Sequence, residues 1–157
     1  MATKIAGETY RGEAVTLPLS QDGQVSVYVW PCRILNVNGH GMGGPTIGVD
    51  VGNEEVIRYD CHDTPGHWHK GGYDKLGAGG SHTEFPDDVR DTESQIAWGL
   101  NQIRDNGQEL LAEAGFPEEA KLLDQELVAA ASEAIYARLD EGKDLISKAI
   151  EQGLIEA

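Results

Sequence analysis

The stretch Val25-Ser26-Val27-Tyr28-Val29-Trp30-Pro31-Cys32-Arg33-Ile34-Leu35-Asn36-Val37 decides how this chain is read. Val25, Val27 and Val29 alternate with Ser26, Tyr28 and Trp30, the period of two of a strand whose faces meet different surroundings. Pro31 brings no backbone N–H, so a bulge or register change is expected there. Upstream, residues 13–19 alternate in the same way, and Gln21-Asp22-Gly23-Gln24 reads as the hairpin turn that joins the two runs. Downstream, residues 46–51 and 54–61 form a hairpin around Gly52-Asn53. Residues 38–45 read as a flexible glycine-rich loop. Residues 71–88, rich in glycine and poor in apolar anchors, read as a long mobile loop beside the histidines.

From residue 91 the texture changes to Ala, Leu and Glu. Thr92-Glu93-Ser94-Gln95 fits a capping box, and Ile96, Leu100, Ile103, Leu110 and Ala114 share one helical face. Gly115 and Pro117 separate this helix from a second one, whose stripe is Leu123, Leu127, Ala131, Ala134 and Ile135. Gly142 marks a break before a short third helix from about Lys143. Strands followed by helices give an α+β fold: an N-terminal antiparallel β-sheet of four to six strands, covered on one face by two or three C-terminal helices. A single domain over residues 1–157 is expected, with a β-rich part (1–90) and a helical part (91–157). Leu145, Ile146, Ala149, Ile150, Leu154 and Ile155 exceed what one small sheet face covers, so a homodimer is expected.

Twenty-seven acidic against 12 basic side chains give a net charge of −15, and 15 of the acidic residues lie in 91–157. Such a surface repels phosphate backbones, which disfavours nucleic acid as a partner. It keeps the chain soluble and leaves acidic helices available to a protein partner. No run approaches a membrane span and no N-terminal apolar segment suggests a signal peptide, so a cytoplasmic location is expected, with Cys32 and Cys61 as reduced thiols.

The concentrated chemistry is Arg58-Tyr59-Asp60-Cys61-His62-Asp63-Thr64-Pro65-Gly66-His67-Trp68-His69. Asp63-Thr64-Pro65-Gly66 has the composition of a turn. With those four residues as the loop, His62 faces His67 and Asp60 faces His69. Alternation then sets Asp60, His62, His67 and His69 on one face and Tyr59, Cys61 and Trp68 on the other. Histidines joined by a carboxylate suit Zn²⁺, or Fe²⁺ with open positions. Asp60, His62, His67 and His69 are therefore the candidate metal ligands, with Asp63, Asp74 and His82 as further ones from the flanking loops. A metal-free alternative is acid–base chemistry by the histidines, with Arg58 and Tyr73 as catalytic groups. A third reading leaves the histidines purely structural.

Arg58-Tyr59-Asp60-Cys61, followed by His67-x-His69 and a helix, resembles a signature in small uncharacterised bacterial proteins. More distantly it resembles TumE-type toxins of toxin–antitoxin pairs, over roughly residues 54–105. Those toxins carry Pro-His-His-x-His where this chain has Pro65-Gly66-His67-Trp68-His69. The resemblance implies a bacterial or phage origin and a defence context. It opens a second functional class, an interaction protein acting through its acidic helices.

Overall fold

The strong run Val25–Val37 forms one long strand, β3, and the sheet is built around it. The computed structural model describes residues 9–64 and 66–156. Besides β3 the sheet contains β1 (Thr9–Arg11), β2 (Val15–Pro18), β4 (His40–Val51), β5 (Glu54–Asp60), β6 (His67–His69) and β7 (His82–Thr83). All pairings are antiparallel, in the order β1-β3-β4-β5-β6-β7, with β2 also pairing along β3. The α+β expectation holds. Among the described residues the seven strands exceed four to six because β1 and β7 are too short to show a period in the sequence.

Residues 38–45 are not a loop. Asn38 (φ 53°) and Gly39 (φ 84°) make a two-residue turn between Val37 and His40, and β4 starts at once. Asn-Gly is a hairpin signal that the surrounding glycines obscured. Those glycines serve close approach: a Cβ on Gly41 would collide with the Leu154 carbonyl, where the C-terminal segment lies against β4 and Glu156 N–H donates to Gly41 O at 2.8 Å.

Two bulges shape the sheet. At Pro31 the β3–β4 register shifts between Trp30 and Arg33, as expected of a proline in a strand. A second shift, opposite Val49 and Asp50, leaves Val56 as the extra residue of β5. Each bulge inverts the alternation beyond it. Arg33 therefore joins Tyr28 and Trp30 on one face, and Glu55 joins Arg58 and Asp60 there.

The other face carries Val25, Val27, Val29, Ile47, Val49, Ile57 and Tyr59, which form the main core with the helices. Helix α2 spans Thr92–Glu113 and packs Gly99 directly on the Tyr59 ring. Asp91, not Thr92, is its N-cap, accepting from Ser94 N–H at 2.7 Å. The second expected helix is two: α3 (Pro117–Ala120), then α4 (Gln125–Glu141), which Asp124 caps. The break at Gly142 stands, followed by α5 (Lys143–Glu151), whose Ala149 packs on Cys32 and Ile34.

The sheet is buried on its polar face as well, where a single covered face was expected. Tyr28, Glu55, Arg58 and Asp60 are all 2% exposed or less. Part of this face lies under α1 (Tyr73–Ser81), a helix within the expected mobile loop. Gly77 (φ 77°, ψ 174°) interrupts α1, and its glycines hide it from a propensity reading. No helix among the described residues is long and apolar enough to cross a membrane.

Candidate metal centre

The β5–β6 hairpin brings Asp60 opposite His67 and Arg58 opposite His69. The expected pairing, His62 with His67 and Asp60 with His69, is displaced by two residues. Cys61 and His62 leave the ladder because Cys61 N–H donates to Pro45 O at 2.9 Å and Asp63 Oδ1 accepts from Thr92 N–H at 2.7 Å, at the start of α2. Gly66 N–H still closes a turn on Asp63 O; Pro65 of that turn lies outside the described residues. A slip of two preserves the side of every residue. Asp60, His67 and His69 thus share the polar face, and Tyr59, Cys61 and Trp68 lie in the core on the other.

Asp60 is the hub. Its Oδ1 accepts from Arg33 Nη1 at 2.6 Å and from Thr46 Oγ1 at 2.9 Å. Its Oδ2 lies 3.1 Å from His67 Nε2 and 3.3 Å from His69 Nε2. Among the described residues these three form the group whose ligand atoms lie within 4.8 Å of one another. Burial opposes the Asp60 charge, but donation from both imidazoles in their protonated form and the Arg33 guanidinium outweigh it and hold the carboxyl well below the ordinary range. Burial lowers the His69 pKa against the pull of Asp60. The ring of His69 sits on α1, its Nδ1 2.9 Å from Ser81 Oγ.

His62 is buried beside this group without joining it. Its Nε2 is 3.3 Å from Thr46 Oγ1, one hydrogen bond removed from Asp60, and burial pushes its pKa down to about 4. Arg58 and Tyr73 lie under the sheet's polar face. The Arg58 guanidinium donates to Glu55 at 2.8 Å and to Tyr73 Oη at 3.1 Å and lies over the Tyr73 ring. Glu55 also accepts from the Tyr28 hydroxyl. This buried layer pairs Arg58 with Glu55 as Arg33 pairs with Asp60. Sequence reading missed Arg33, Thr46 and Ser81. Pro31 was the available signal for Arg33, since a bulge there reverses the side on which position 33 falls.

His67, 22% exposed at its side chain, is where the group meets solvent. It opens into a cleft of about 730 Å³. Leu35, Met42, Phe85 and Val89 supply apolar walls, and His62 and His82 also line it. His82, a further candidate ligand, stacks on His67 at 4.6 Å and bonds Glu84 at 2.7 Å. Asp74, another, accepts from Glu55 N–H instead.

The model of a family described as Domain of unknown function (DUF7700) matches residues 21–139, a span that contains β3 to β7 and the helix behind the histidines. No curated protein and no solved structure matches the chain.

Proposed function

The chain belongs to the DUF7700 family, and we propose that it binds one small divalent transition-metal ion, of the Zn²⁺ or Fe²⁺ class, through Asp60 Oδ2, His67 Nε2 and His69 Nε2. The observation that carries this reading is the convergence of two imidazole nitrogens on one carboxylate oxygen, at 3.1 and 3.3 Å. A tetrahedral metal bonded at about 2.0–2.1 Å to each atom sets its ligands roughly 3.3 Å apart. Imidazole with carboxylate is a donor set for zinc or, with open positions, non-haem iron. Arg33 and Thr46 occupy Oδ1, so the carboxylate offers one oxygen only.

Arg33 already offsets the Asp60 charge, so a bound dication keeps net positive charge. It favours an anionic oxygen donor, hydroxide or carboxylate, in its remaining positions. His67 lines the cleft beside this group, and the volume of the cleft suits a small organic molecule. The ion would act there as a Lewis acid or lower the pKa of bound water.

One observation favours a second reading. Arg33 balances Asp60 without any metal, and Asp60 then orients His67 as a solvent-facing general base. Elemental analysis of protein purified without a histidine tag, with calorimetric Zn²⁺ titration after chelator treatment, separates the two. Metal binding gives one equivalent in the wild type, a higher melting temperature, and loss of both in His67→Ala and His69→Ala. A wild type that binds no stoichiometric metal and melts identically in chelator overturns it in favour of the acid–base pair.

A further inference from the structure

We propose that Ser81 is the positioning residue that sets the tautomer of His69 and thereby the affinity of the metal centre. The inference rests on the metal reading above and adds the group that prepares one of its ligands.

Ser81 is 2% exposed, at the last position of α1. Its Oγ lies 2.6 Å from the Gly77 carbonyl oxygen. A carbonyl oxygen only accepts, so the single hydroxyl hydrogen goes there. The same Oγ is 2.9 Å from His69 Nδ1, and with its hydrogen committed it accepts from that nitrogen. A neutral His69 then carries its hydrogen on Nδ1 and a bare lone pair on Nε2. That lone pair faces Asp60 Oδ2 at 3.3 Å, an atom that also offers only lone pairs. Two acceptors placed face to face call for a cation between them. One hydroxyl thus leaves Nε2 ready to ligate.

The fold holds the hydroxyl there from two sides. Lys70 N–H, just after β6, donates to the Ser81 carbonyl at 3.1 Å, which ties the serine to the histidine strand. At the other end of α1, Tyr73 takes the Arg58 bond and Asp74 takes Glu55 N–H. The interruption at Gly77 lets both ends of this short helix reach the sheet. Outer partners of ligating histidines typically change metal affinity roughly 10–100-fold.

The test compares wild type, Ser81→Ala and Ser81→Thr, the last retaining a hydroxyl. Long-range ¹H–¹⁵N spectra of the metal-free wild type should show His69 as the Nδ1–H tautomer, and Ser81→Ala should lose that preference. Zn²⁺ affinity, measured by chelator competition, should fall roughly 10–100-fold in Ser81→Ala and recover in Ser81→Thr. Thermal unfolding of the metal-free variants checks that they fold. An Nε2–H tautomer in the wild type overturns the proposal even if no variant folds. So does a folded Ser81→Ala protein that binds Zn²⁺ as tightly as wild type. If the wild type binds no Zn²⁺, the metal reading fails, while the tautomer read on metal-free protein still decides what Ser81 does.

Discussion

Gly48 sits on β4 opposite Tyr28 and Arg58, and the Tyr28 ring lies across it. A Cβ at Gly48 would overlap two atoms of that ring and the hydroxyl bonded to Glu55. Tyr28 is fully buried and cannot swing aside, so the backbone or the Glu55–Arg58 pair must shift. Gly48→Ala should therefore destabilise by about 1–3 kcal/mol, as overpacking does. Gly99→Ala, whose Cβ would stand 2.9 Å from Tyr59 Cγ, should cost less. Urea unfolding of both variants measures this, and an unchanged midpoint for Gly48→Ala would refute it. At this scale the sequence was legible where parity alone decides. Asp60, His67 and His69 share a face under the expected register and under the observed one, because the two differ by two residues. The partners of Asp60 were not legible. Arg33 and Thr46 come from strands far along the chain, and strict alternation puts Arg33 on the opposite side until the Pro31 bulge is counted.

Elements were legible where a single local signal dominated and hidden where glycine stood for two different things. The Gly142 break and the Gly52 turn followed from glycine as a punctuator. In the first half of β4 glycine marks close backbone approach instead, at Gly41, Gly43 and Gly44, while in α1 Gly77 supplies a positive φ inside the helix; both segments have the composition of loops. The second bulge, at Val56, has no proline or glycine to announce it. Helix starts yield a sharper prediction. Asp91 caps α2 through Ser94 N–H, and Asp124 caps α4 through Glu126 and Leu127 N–H while accepting from Gln21 Nε2 at 2.8 Å. Hydrogen bonding lowers both carboxyl pKa values below 3.8, by the Ser94 backbone at Asp91 and by Gln21 first at Asp124. A depressed carboxyl contributes stability that is complete above the unfolded pKa and is lost as pH falls through the folded value. Asparagine caps as well as aspartate but carries no charge to meet the helix dipole. The double variant Asp91→Asn/Asp124→Asn should thus melt below wild type at neutral pH, with the gap closing below about pH 3. A gap that persists in acid would assign the effect to hydrogen-bond geometry rather than charge.

At the scale of the whole molecule, the histidine strand is shared between two layers. On the core side, Trp68 stacks on Tyr59 at 5.4 Å and meets Trp98 of α2 edge-on at 5.2 Å, and Phe85 closes on Trp98 at 5.6 Å. On the opposite side the same three residues of β6 present His67 and His69 to Asp60. The site cannot loosen without disturbing the aromatic contact that holds α2 on the sheet. The expected division into a β-rich part and a helical part therefore predicts no division in unfolding: sheet and helices should come apart together. Tryptophan fluorescence reports Trp68 and Trp98 at the layer boundary together with Trp30 on β3, and far-ultraviolet circular dichroism reports mostly helix. Their thermal transitions should coincide in chelator. A ligand that binds only the folded state raises stability by RT ln(1 + [L]/Kd), about 2.7 kcal/mol at a hundredfold excess over Kd. With Zn²⁺ both transitions should then move up by the same interval, because the energy gained at β6 is felt by the whole cooperative unit. A shift in fluorescence alone would mean that the ion orders its own strand and leaves α2, α4 and α5 to unfold independently, and the linkage through Trp68 would then be wrong.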